Sequence, residues 1–338
     1  MIPKVVLDPS FFWIFAETDT EEEAKEAWDA CKAWLKDANH GVSLLVHSKS
    51  VDRLQDAGMI PAFDAVKDTL QRLNLDYVVS PPELKGILDR FLSNMISVEE
   101  EAPVKDAAFE DISVSPRCFD VINETEVREH SVETLCLSAL NAAVGYRLNY
   151  AFPRLGDLGC SIKASAVVAV AEAELQVPAQ FTHTMQLIKA PSSFKALLNP
   201  QDIWDEAVDA DEINYAIRLA AERLTSDQLP ASVIGSAFFE TLVRNQAVGH
   251  GKAWSAVTLA KCAQVLAGVP EVEVKPFTYE KSGKANSKIR KRTRDGAEAY
   301  RVHIPTGALS LRLMLWRTSK GWEFANVGPK FELVIENG

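Results

Sequence analysis

Along the N-terminal third of the chain, short apolar runs alternate with segments whose apolar residues recur every three or four positions. The pattern predicts three strands at 5–7, 42–46 and 75–79, and three helices at 20–35, 60–73 and 83–92. Thr20 and Glu23 have the spacing of a capping box, which supports a helix start at that point. Strands that alternate with helices favour a parallel sheet with helices packed over it.

The middle of the chain has a less regular pattern. Residues 97–105 are acidic and include a proline, which predicts an exposed loop. The segments that follow predict a strand at 109–114, a helix at 129–144 and a strand at 146–152. Residues 161–175 are ambiguous because their alanines favour a helix, whereas their valines, beside the alternating segment 180–188, favour an antiparallel hairpin. We prefer the hairpin.

The C-terminal half first has helical periodicity and then strand-like alternation. Four helices are predicted at 202–208, 211–224, 232–246 and 253–266. Five strands are predicted at 272–277, 299–304, 311–317, 322–327 and 331–335. The short connections between these strands indicate an antiparallel β-meander.

Length and composition indicate a globular protein but do not indicate a function. The 338 residues suggest about two or three domains. No stretch approaches the length of a membrane span, and the N-terminal sequence lacks the pattern of a signal peptide. The five cysteines form no CxxC pair, and their odd number argues against a disulfide framework. We therefore expect a cytoplasmic protein with no membrane contact.

Charge is distributed unevenly along the chain. Seven cations without an acid among them stand at Lys281, Lys284, Lys288, Arg290, Lys291, Arg292 and Arg294. With −11 overall and +7 here, the rest of the chain carries −18. The basic segment falls between the first two strands of the predicted meander, which indicates a mobile loop. Basic segments of this kind contact the phosphates of nucleic acids without reading the base sequence.

The start of the chain suggests a metal-dependent chemistry. The segment 5–12, VVLDPSFF, resembles the opening of PIN-domain ribonucleases, where a strand ends in a metal-binding aspartate followed by a small polar residue. The order of elements over residues 1–150 is also similar to that family. PIN enzymes gather carboxylates at the carboxyl edge of a parallel sheet, where Mg²⁺ or Mn²⁺ activates water against a phosphodiester.

The resemblance implies a role for three carboxylates. Asp8 matches the first metal ligand, Asp52 stands for the acid of the second helix, and Glu129 or Glu133 stands for the acid of the later helix. The chain departs from the family pattern after the next strand, where Asp157 follows only at a distance. A PIN-like scaffold that binds without cleaving is therefore an alternative, in which Asp8 is a turn or capping residue.

A second motif suggests metal-free chemistry. The segment 244–250, RNQAVGH, resembles the Arg-Asn…His signature of HEPN-type ribonucleases. The resemblance implies that His250 takes the proton of a ribose 2′-OH while Arg244 stabilises the charge on phosphorus. The alternative is that residues 249–251 end one helix in an exposed polar turn.

The C-terminal meander has a polar face of its own. Alternation along its strands puts apolar residues on one side and Arg301, His303 and Arg312 on the other. The arrangement resembles the twisted sheets of RelE-type ribosome-dependent toxins, which present arginines and lysines to RNA. The alternative is a solvated loop on a structural sheet.

Together these patterns predict a mixed α/β chain in three parts. These are a PIN-like or Rossmannoid α/β domain at 1–155, a central region of strands followed by helices at 156–268, and a C-terminal antiparallel β-meander with the basic loop at 269–338. The combination resembles accessory subunits encoded in bacterial antiphage defence systems.

The functional expectation has two forms. The first is a nucleic-acid-associated subunit of a defence or nucleic-acid-processing complex, with DNA or RNA and other protein subunits as partners. If catalytic, it is a metal-dependent nuclease that uses Asp8, Asp52 and Glu133 with Mg²⁺ or Mn²⁺. The second is a non-catalytic scaffold, whose acidic body binds a partner protein and whose 281–294 loop contacts nucleic acid.

Overall fold

The chain forms two compact units, one of Pro3–Leu197 and one that begins at Leu198. The computed structural model describes residues 3–38, 42–60, 63–75, 80–173, 175–278, 288–304, 311–332 and 334–336. Within the described residues, no helix combines the length and hydrophobicity that crossing a bilayer requires.

A seven-stranded sheet forms the framework of the first unit. Its strands are β1 (Lys4–Leu7), β2 (Ser43–Val46), β3 (Ile96–Ser97), β4 (Val104–Ser115), β5 (Leu148–Ala151), β6 (Leu158–Ala171) and β7 (Gln180–Ile188). Their order across the sheet is β3-β2-β1-β5-β7-β6-β4. The strands from β3 to β7 in this order run parallel, and β6 and β4 add to them antiparallel. The predicted mixed α/β class is confirmed.

The hairpin preferred for the ambiguous segment 161–175 is also confirmed. Strand β6 pairs with β7 from Leu158 to Ser165, and buried residues alternate along it at positions 160, 162, 164 and 166. Because β6 and β7 continue the sheet that contains β1 and β5, residues 158–188 belong to the first unit. The sequence pattern instead predicts that residues 158–188 belong to a central region. It does so because no local signature in the sequence indicates the parallel pairing of β5 with β7.

In the described residues, seven helices accompany this sheet. They are α1 (Glu21–Ala38), α2 (Ser48–Asp56), α3 (Phe63–Arg72), α4 (Pro81–Asn94), α5 (Val98–Glu101), α6 (Thr125–Ala143) and α7 (Pro191–Leu197). The capping box before α1 is present, because Glu23 N donates to Thr20 Oγ1 and Thr20 N donates to Glu23 Oε2. Short 3-10 turns follow β1 at Pro9–Phe12 and β4 at Cys118–Val121.

Helix α6 packs against β4, β5 and β7 of this sheet. Its buried residues run from Val127 to Asn141. Asn141 joins the helix to β4, because its side chain both donates to Val104 O at 2.9 Å and accepts from Val104 N at 2.8 Å. The predicted helix at 129–144 is therefore confirmed and begins earlier, at Thr125.

One prediction for the first unit needs correction, and another lies mostly outside the described residues. Residues 97–105 are not an exposed loop, since they form the end of β3, helix α5 and the start of β4. Val98, Ala102 and Val104 are buried there. Ser97 caps α5 by accepting from Glu100 N, so the acidic residues form the first turn of a helix. Of the predicted strand at 75–79, residues 76–79 lie outside the described residues.

Over its described residues, the second unit has a five-stranded sheet and four helices. Its strands are β8 (Ala231–Ile234), β9 (Lys275–Pro276), β10 (Glu298–Ile304), β11 (Leu311–Arg317) and β12 (Gly321–Pro329). Its helices are α8 (Pro200–Glu206), α9 (Ala210–Glu222), α10 (Phe238–Arg244) and α11 (Ser255–Ala267). The strand order is β8-β12-β11-β10-β9, with β8 parallel to β12 and the other pairs antiparallel.

The predicted meander is confirmed in its three central strands. Helix α10 packs against the sheet face that carries Phe324, whose ring centroid lies 5.7 Å from that of Phe238. The predicted strand at 272–277 is shorter, and in the described residues of 331–335 there is no strand, with Phe331 83 % exposed.

The predicted helix at 232–246 is wrong in its first part. Ala231–Ile234 form β8, and Gly235 N extends the pairing by donating to Phe324 O at 2.8 Å. The β-branched residues Val233 and Ile234 suit a strand, and the helix covers only Phe238–Arg244.

Candidate functional site

Asp8 lies at the carboxyl end of β1, next to β2 on one side and β5 on the other. In an open parallel sheet this is the switch point, where ligands commonly bind. Here the position is filled by protein groups. Asp8 is fully buried, and its carboxylate accepts hydrogen bonds from Ser10 N at 2.7 Å, Ser131 Oγ at 2.9 Å and Tyr150 Oη at 2.6 Å.

Burial dominates the titration of Asp8. It raises the pKa of this carboxyl above its usual value, although the hydrogen bonds from Ser10, Tyr150 and Ser131 act in the opposite direction. The same burial, together with the nearby Asp8, raises the pKa of the Tyr150 phenol well above its usual range. Asp8 therefore caps the 3-10 turn at Pro9–Phe12, and its buried carboxyl connects β1 to β5 and α6 through hydrogen bonds.

The other two predicted metal ligands have different surroundings. Asp52 is an exposed residue of α2. Glu133 of α6 accepts from Arg53 Nη1 at 2.7 Å and lies 3.7 Å from His130 Nδ1. Its neighbour Glu129 is exposed, and both glutamates line an open groove of 740 Å³ between β4 and α6.

These side chains do not fit the metal that the PIN resemblance implies. Within the described residues, no group of three or more histidine, cysteine, aspartate or glutamate side chains is arranged to hold a metal ion. A divalent cation needs several oxygen ligands at about 2.0–2.6 Å. In this structure the oxygens of Asp8 accept from neutral donors, and Glu133 is paired with an arginine.

A buried polar network at the end of β2 was missed by sequence reasoning. His47 caps α2, with Nδ1 accepting from Ser50 N at 3.1 Å, and Ser50 Oγ lies 3.1 Å from Thr134 Oγ1 of α6. Burial lowers the pKa of His47, against the effect of Glu99 nearby. The one available signal was position, because His47 follows β2 as Asp8 follows β1.

The two residues of the metal-free motif have separate partners. Arg244 ends α10 and pairs with Glu240 in its own helix. His250 lies in the following turn, 3.9 Å from Asp205 and 3.8 Å from Glu206 of α8. Both side chains are 66 % exposed. Their contacts are those of surface residues at the ends of helices.

The basic segment is only partly available to a ligand. Lys281 and Lys284 lie outside the described residues, whereas Lys288 is exposed. Lys291 pairs with Glu298 at 3.2 Å, and Arg294 lies 3.7 Å from Glu323. The predicted mobile loop needs correction over 288–297.

The described part of this segment is hydrogen-bonded to the edge of the sheet. Arg290 N donates to Phe277 O, and Ala299 N donates to Arg290 O, both at 2.9 Å. Arg292 N donates to Ala297 O, also at 2.9 Å. This backbone pairing fixes the segment beside β9 and β10.

Arg292 is a buried structural residue. Its side chain is 2 % exposed and forms paired hydrogen bonds with Glu323, at 2.7 and 2.8 Å, and with Asp295, at 2.9 and 2.6 Å. Its guanidinium also lies 5.1 Å from the ring centroid of Trp316. The prediction that Arg292 contacts nucleic acid therefore needs correction, because carboxylates already occupy its guanidinium.

A second cationic group lies on the sheet itself. On β10, Arg301 and His303 share one face; Lys275 of β9 stands opposite Arg301, and Arg312 of β11 stands opposite His303. We call these four residues the arginine face. The alternation that predicted a polar face holds at one end of these strands, where Val302 and Ile304 and their partners on β11 are buried. Toward the other end it stops, because Met314, which stands opposite Arg301 on the same face, is also buried.

The charges of the arginine face act on one another. The pKa of His303 is lowered by burial and then by the positive charges of Arg312, Lys275 and Arg301, against the opposite effect of Glu273. Burial and Arg301 likewise lower the pKa of Arg312. Lys275 and Glu273 form an exposed pair at 2.8 Å. The two arginines therefore lie in a region of positive potential.

No family model, curated protein or solved structure matches the chain. A function for it therefore has to be inferred from its own side chains. Two groups stand out in the described residues, the buried Asp8 cluster of the first unit and the arginine face of the second unit.

Asp8→Asn is expected to change the free energy of unfolding by less than about 1 kcal/mol, whereas Asp8→Ala is expected to cost about 3 kcal/mol. Asn keeps an acceptor for Ser10 and Ser131, and Tyr150 Oη has a second acceptor, Ser131 O, at 3.1 Å. Ala leaves Ser10 N and Ser131 Oγ without this acceptor and leaves Tyr150 Oη with Ser131 O alone. Urea unfolding followed by circular dichroism measures both values.

The pH dependence provides the check on this prediction. Because the folded state raises the pKa of Asp8, protonation stabilises the folded state. The wild type should gain stability relative to Asp8→Asn as the pH falls from the raised pKa through the unfolded value, and lose it as the pH rises. A wild type that loses stability relative to Asp8→Asn on acidification would contradict the assignment.

Proposed function

We propose that this chain is a nucleic-acid-associated protein that holds backbone phosphates of DNA or RNA on the arginine face of its second unit. The proposal rests on one observation. Arg301, His303 and Arg312 adjoin on one sheet face, and within the described part of the chain the acid that acts on His303 there is Glu273, which is already paired with Lys275.

The chemistry of the arginine face suits a phosphate. Guanidinium groups present planar, paired donors that match phosphate oxygens, and they remain charged at all physiological pH values. The Nε atoms of Arg301 and Arg312 are buried and have no hydrogen-bond partner within the described residues. The guanidinium of Arg301 also lies 5.5 Å from the ring centroid of Phe277, which restricts its orientation. A bound anion would supply acceptors where the protein supplies donors.

Positive charges this close together are unfavourable in the free protein. The lowered pKa values of His303 and Arg312 express that cost, after the effect of burial. A bound phosphate neutralises these cations. Part of its binding free energy therefore comes from the loss of the repulsion between them that is present in the free protein. Such contacts position a nucleic acid through its backbone and carry no base specificity.

The first unit has the role of a PIN-like scaffold in this proposal. The PIN resemblance of the strand that ends in Asp8 fits the parallel sheet, but a carboxyl buried under Ser131 and Tyr150 supports a structural role better than a metal-dependent one. The proposal therefore favours the non-catalytic form, with no Mg²⁺ or Mn²⁺ requirement. Membership of a defence or nucleic-acid-processing complex with other protein subunits remains a prediction.

Binding and cleavage should be measured together. Fluorescence anisotropy with single-stranded RNA, single-stranded DNA and duplex DNA of one sequence should show salt-sensitive binding. The same oligonucleotides incubated with Mn²⁺, Mg²⁺ or EDTA should stay intact. Cleavage that requires Mn²⁺ and is lost in Asp8→Asn would support the nuclease, and absence of salt-sensitive binding would overturn the proposal.

Affinity is expected to rise as the pH falls, because of His303. In the free protein the pKa of His303 is lowered by burial and by Arg312, Lys275 and Arg301, which favours the neutral imidazole. A bound phosphate raises this pKa, and linkage then makes binding tighter below the pKa of the free protein and weaker as the pH rises through the pKa of the complex. Anisotropy titrations between pH 5 and 8 measure the effect.

His303→Gln should remove this pH dependence. The matched control is His250→Gln, an exposed histidine of the same unit, which should keep both the affinity and the pH profile of the wild type. Loss of the pH profile in His250→Gln instead would assign the nucleic-acid contact to the Arg244–His250 turn.

A further inference from the structure

Two thiols lie in contact within the first unit. Cys118 begins the 3-10 turn after β4, and Cys160 lies in β6, the strand beside β4. Their Sγ atoms are 3.6 Å apart. The register explains the contact, because Ser115 at the end of β4 stands opposite Ser161. Neighbouring strands therefore fix the two thiols beside each other.

The thiol pair is chemically distinct from the other cysteines. All five cysteines are reduced and buried, and burial raises the pKa of Cys31 and of Cys136 to about 12. Cys160 departs from this pattern, because a hydrogen bond from the Cys118 thiol lowers its pKa despite burial. The same hydrogen bond raises the pKa of Cys118. When one of the two thiols ionises, the thiolate therefore forms on Cys160, where a hydrogen bond from the Cys118 thiol stabilises it.

A short turn separates the pair from solvent. Cys118 is 3 % exposed, but Arg117 and Asp120 on either side of it are exposed, and Val121 is 40 % exposed. Arg117, Phe119 and Asp120 also line the 740 Å³ groove between β4 and α6. Because Cys160 is itself fully buried, a small oxidant reaches the pair only when this turn opens locally.

We propose that Cys118 and Cys160 form a reversible disulfide when the protein meets a peroxide. The Cys160 thiolate attacks one oxygen of hydrogen peroxide, the O–O bond breaks, and the departing hydroxide takes a proton to become water. The resulting sulfenic acid, Cys160–SOH, is attacked at sulfur by the Cys118 thiol. The S–S bond forms, the S–O bond breaks, and the Cys118 proton leaves with the hydroxyl as a second water. Two thiols lose two electrons and one peroxide gains them.

The geometry requires only a small movement. The sulfurs must approach by roughly 1.5 Å, since an S–S bond is about 2.05 Å long. The bond would fasten the turn that lines the groove to β6. It also closes a loop that includes α6 and β5, so it should restrict the unfolded chain and raise the thermal unfolding midpoint by several degrees. Dithiothreitol should reverse both effects.

Peptide mapping of the full chain tests the proposal. The protein is treated with excess hydrogen peroxide, blocked with iodoacetamide and digested without reductant. The expected product is a cross-linked peptide pair that contains Cys118 and Cys160, lost on reduction. A map with no such pair, or with Cys136 joined to Cys160, would overturn the proposal.

Variants separate the pair from the other cysteines. Cys118→Ser and Cys160→Ser should lose the cross-link and the rise in the unfolding midpoint, whereas Cys31→Ser and Cys262→Ser should keep both. The wild-type map needs no variant, so the proposal stays testable even if a serine variant folds poorly. Neither measurement depends on nucleic-acid binding, and the thiol pair can fail while the arginine face stands.

Discussion

The double variant Arg301→Gln/Arg312→Gln is expected to bind a single-stranded oligonucleotide about 100-fold more weakly than the wild type, since a hydrogen bond to a charged group is worth about 1.5 kcal/mol or more. Both arginines lie on the arginine face beside His303. Glutamine keeps a polar side chain, although a shorter one, and removes the charge. Fluorescence anisotropy at fixed salt measures the loss.

The salt dependence of binding should change as well. Each phosphate neutralised by a cation contributes about 0.7 to 0.9 to the slope of log affinity against log salt concentration. Loss of two such contacts should reduce the slope by about 1.4 to 1.8, equally for all sequences. A reduced affinity with an unchanged slope would mean that the arginines support the fold of the site and do not contact phosphates.

The basic segment offers a control with the same change in charge. Lys288→Gln/Lys291→Gln removes two exposed cations close in the chain to the arginine face. We expect this variant to weaken binding by less than threefold, because exposed and flexible lysines contribute little when a fixed site is present. Equal losses in the two double variants would contradict a specific arginine face and return the contact to the segment 288–294.

The second large effect concerns stability. Arg292→Met is expected to lower the free energy of unfolding by about 3–5 kcal/mol, because it leaves the buried carboxylate of Glu323 without its partner. Glu323 is 8 % exposed and shares two hydrogen bonds with Arg292. Methionine fills similar space over Trp316, so the cost reports the missing charge. Urea unfolding followed by tryptophan fluorescence measures it.

A double variant shows whether the pair itself is needed. Arg292→Met/Glu323→Leu should recover much of the lost stability, since replacing both partners of a buried ion pair with apolar groups is often neutral. Lys291→Met, at the adjacent exposed position, should cost less than about 0.5 kcal/mol. If Arg292→Met were as mild as Lys291→Met, the buried pair would have no stabilising role.

Low pH should weaken the interaction of Arg292 with its second carboxylate partner, Asp295. Arg292 holds the pKa of Asp295 down to about 2, with help from the Ala297 backbone N–H. Since the folded pKa lies below the unfolded value, this contribution is present above the ordinary pKa of aspartate and is lost as the pH falls toward 2. The basic segment is thus fixed at neutral pH by acids that the charge count of 281–294 does not include.

Much of the fold was predictable because its signals are local. The alternation of strands and helices in the first unit, the β6–β7 hairpin and the central strands of the meander all follow from short-range periodicity. β8 was not predictable in this way. It has four residues, and its partner β12 begins at Gly321, so the helical pattern around it dominated.

The candidate sites likewise contain some features that a local sequence pattern predicts and others that depend on distant residues. The grouping of Arg301 with His303 follows from alternation along β10, and the meander then places Arg312 opposite. Burial of Arg292 depends on Glu323, thirty-one positions later, and no local pattern indicates it. Likewise, the position of Asp8 at a strand end was visible, but its partners Ser131 and Tyr150 come from distant elements.

The parallel pair β8–β12 has a consequence for synthesis. β8 begins at Ala231 and β12 at Gly321, ninety residues later. At translation rates of about 5–20 residues per second, β8 leaves the ribosome roughly 5–20 s before its partner exists. During that interval helices α10 and α11 have already emerged without the sheet that covers them. We therefore expect the second unit to need protection from aggregation on the nascent chain until β12 is made.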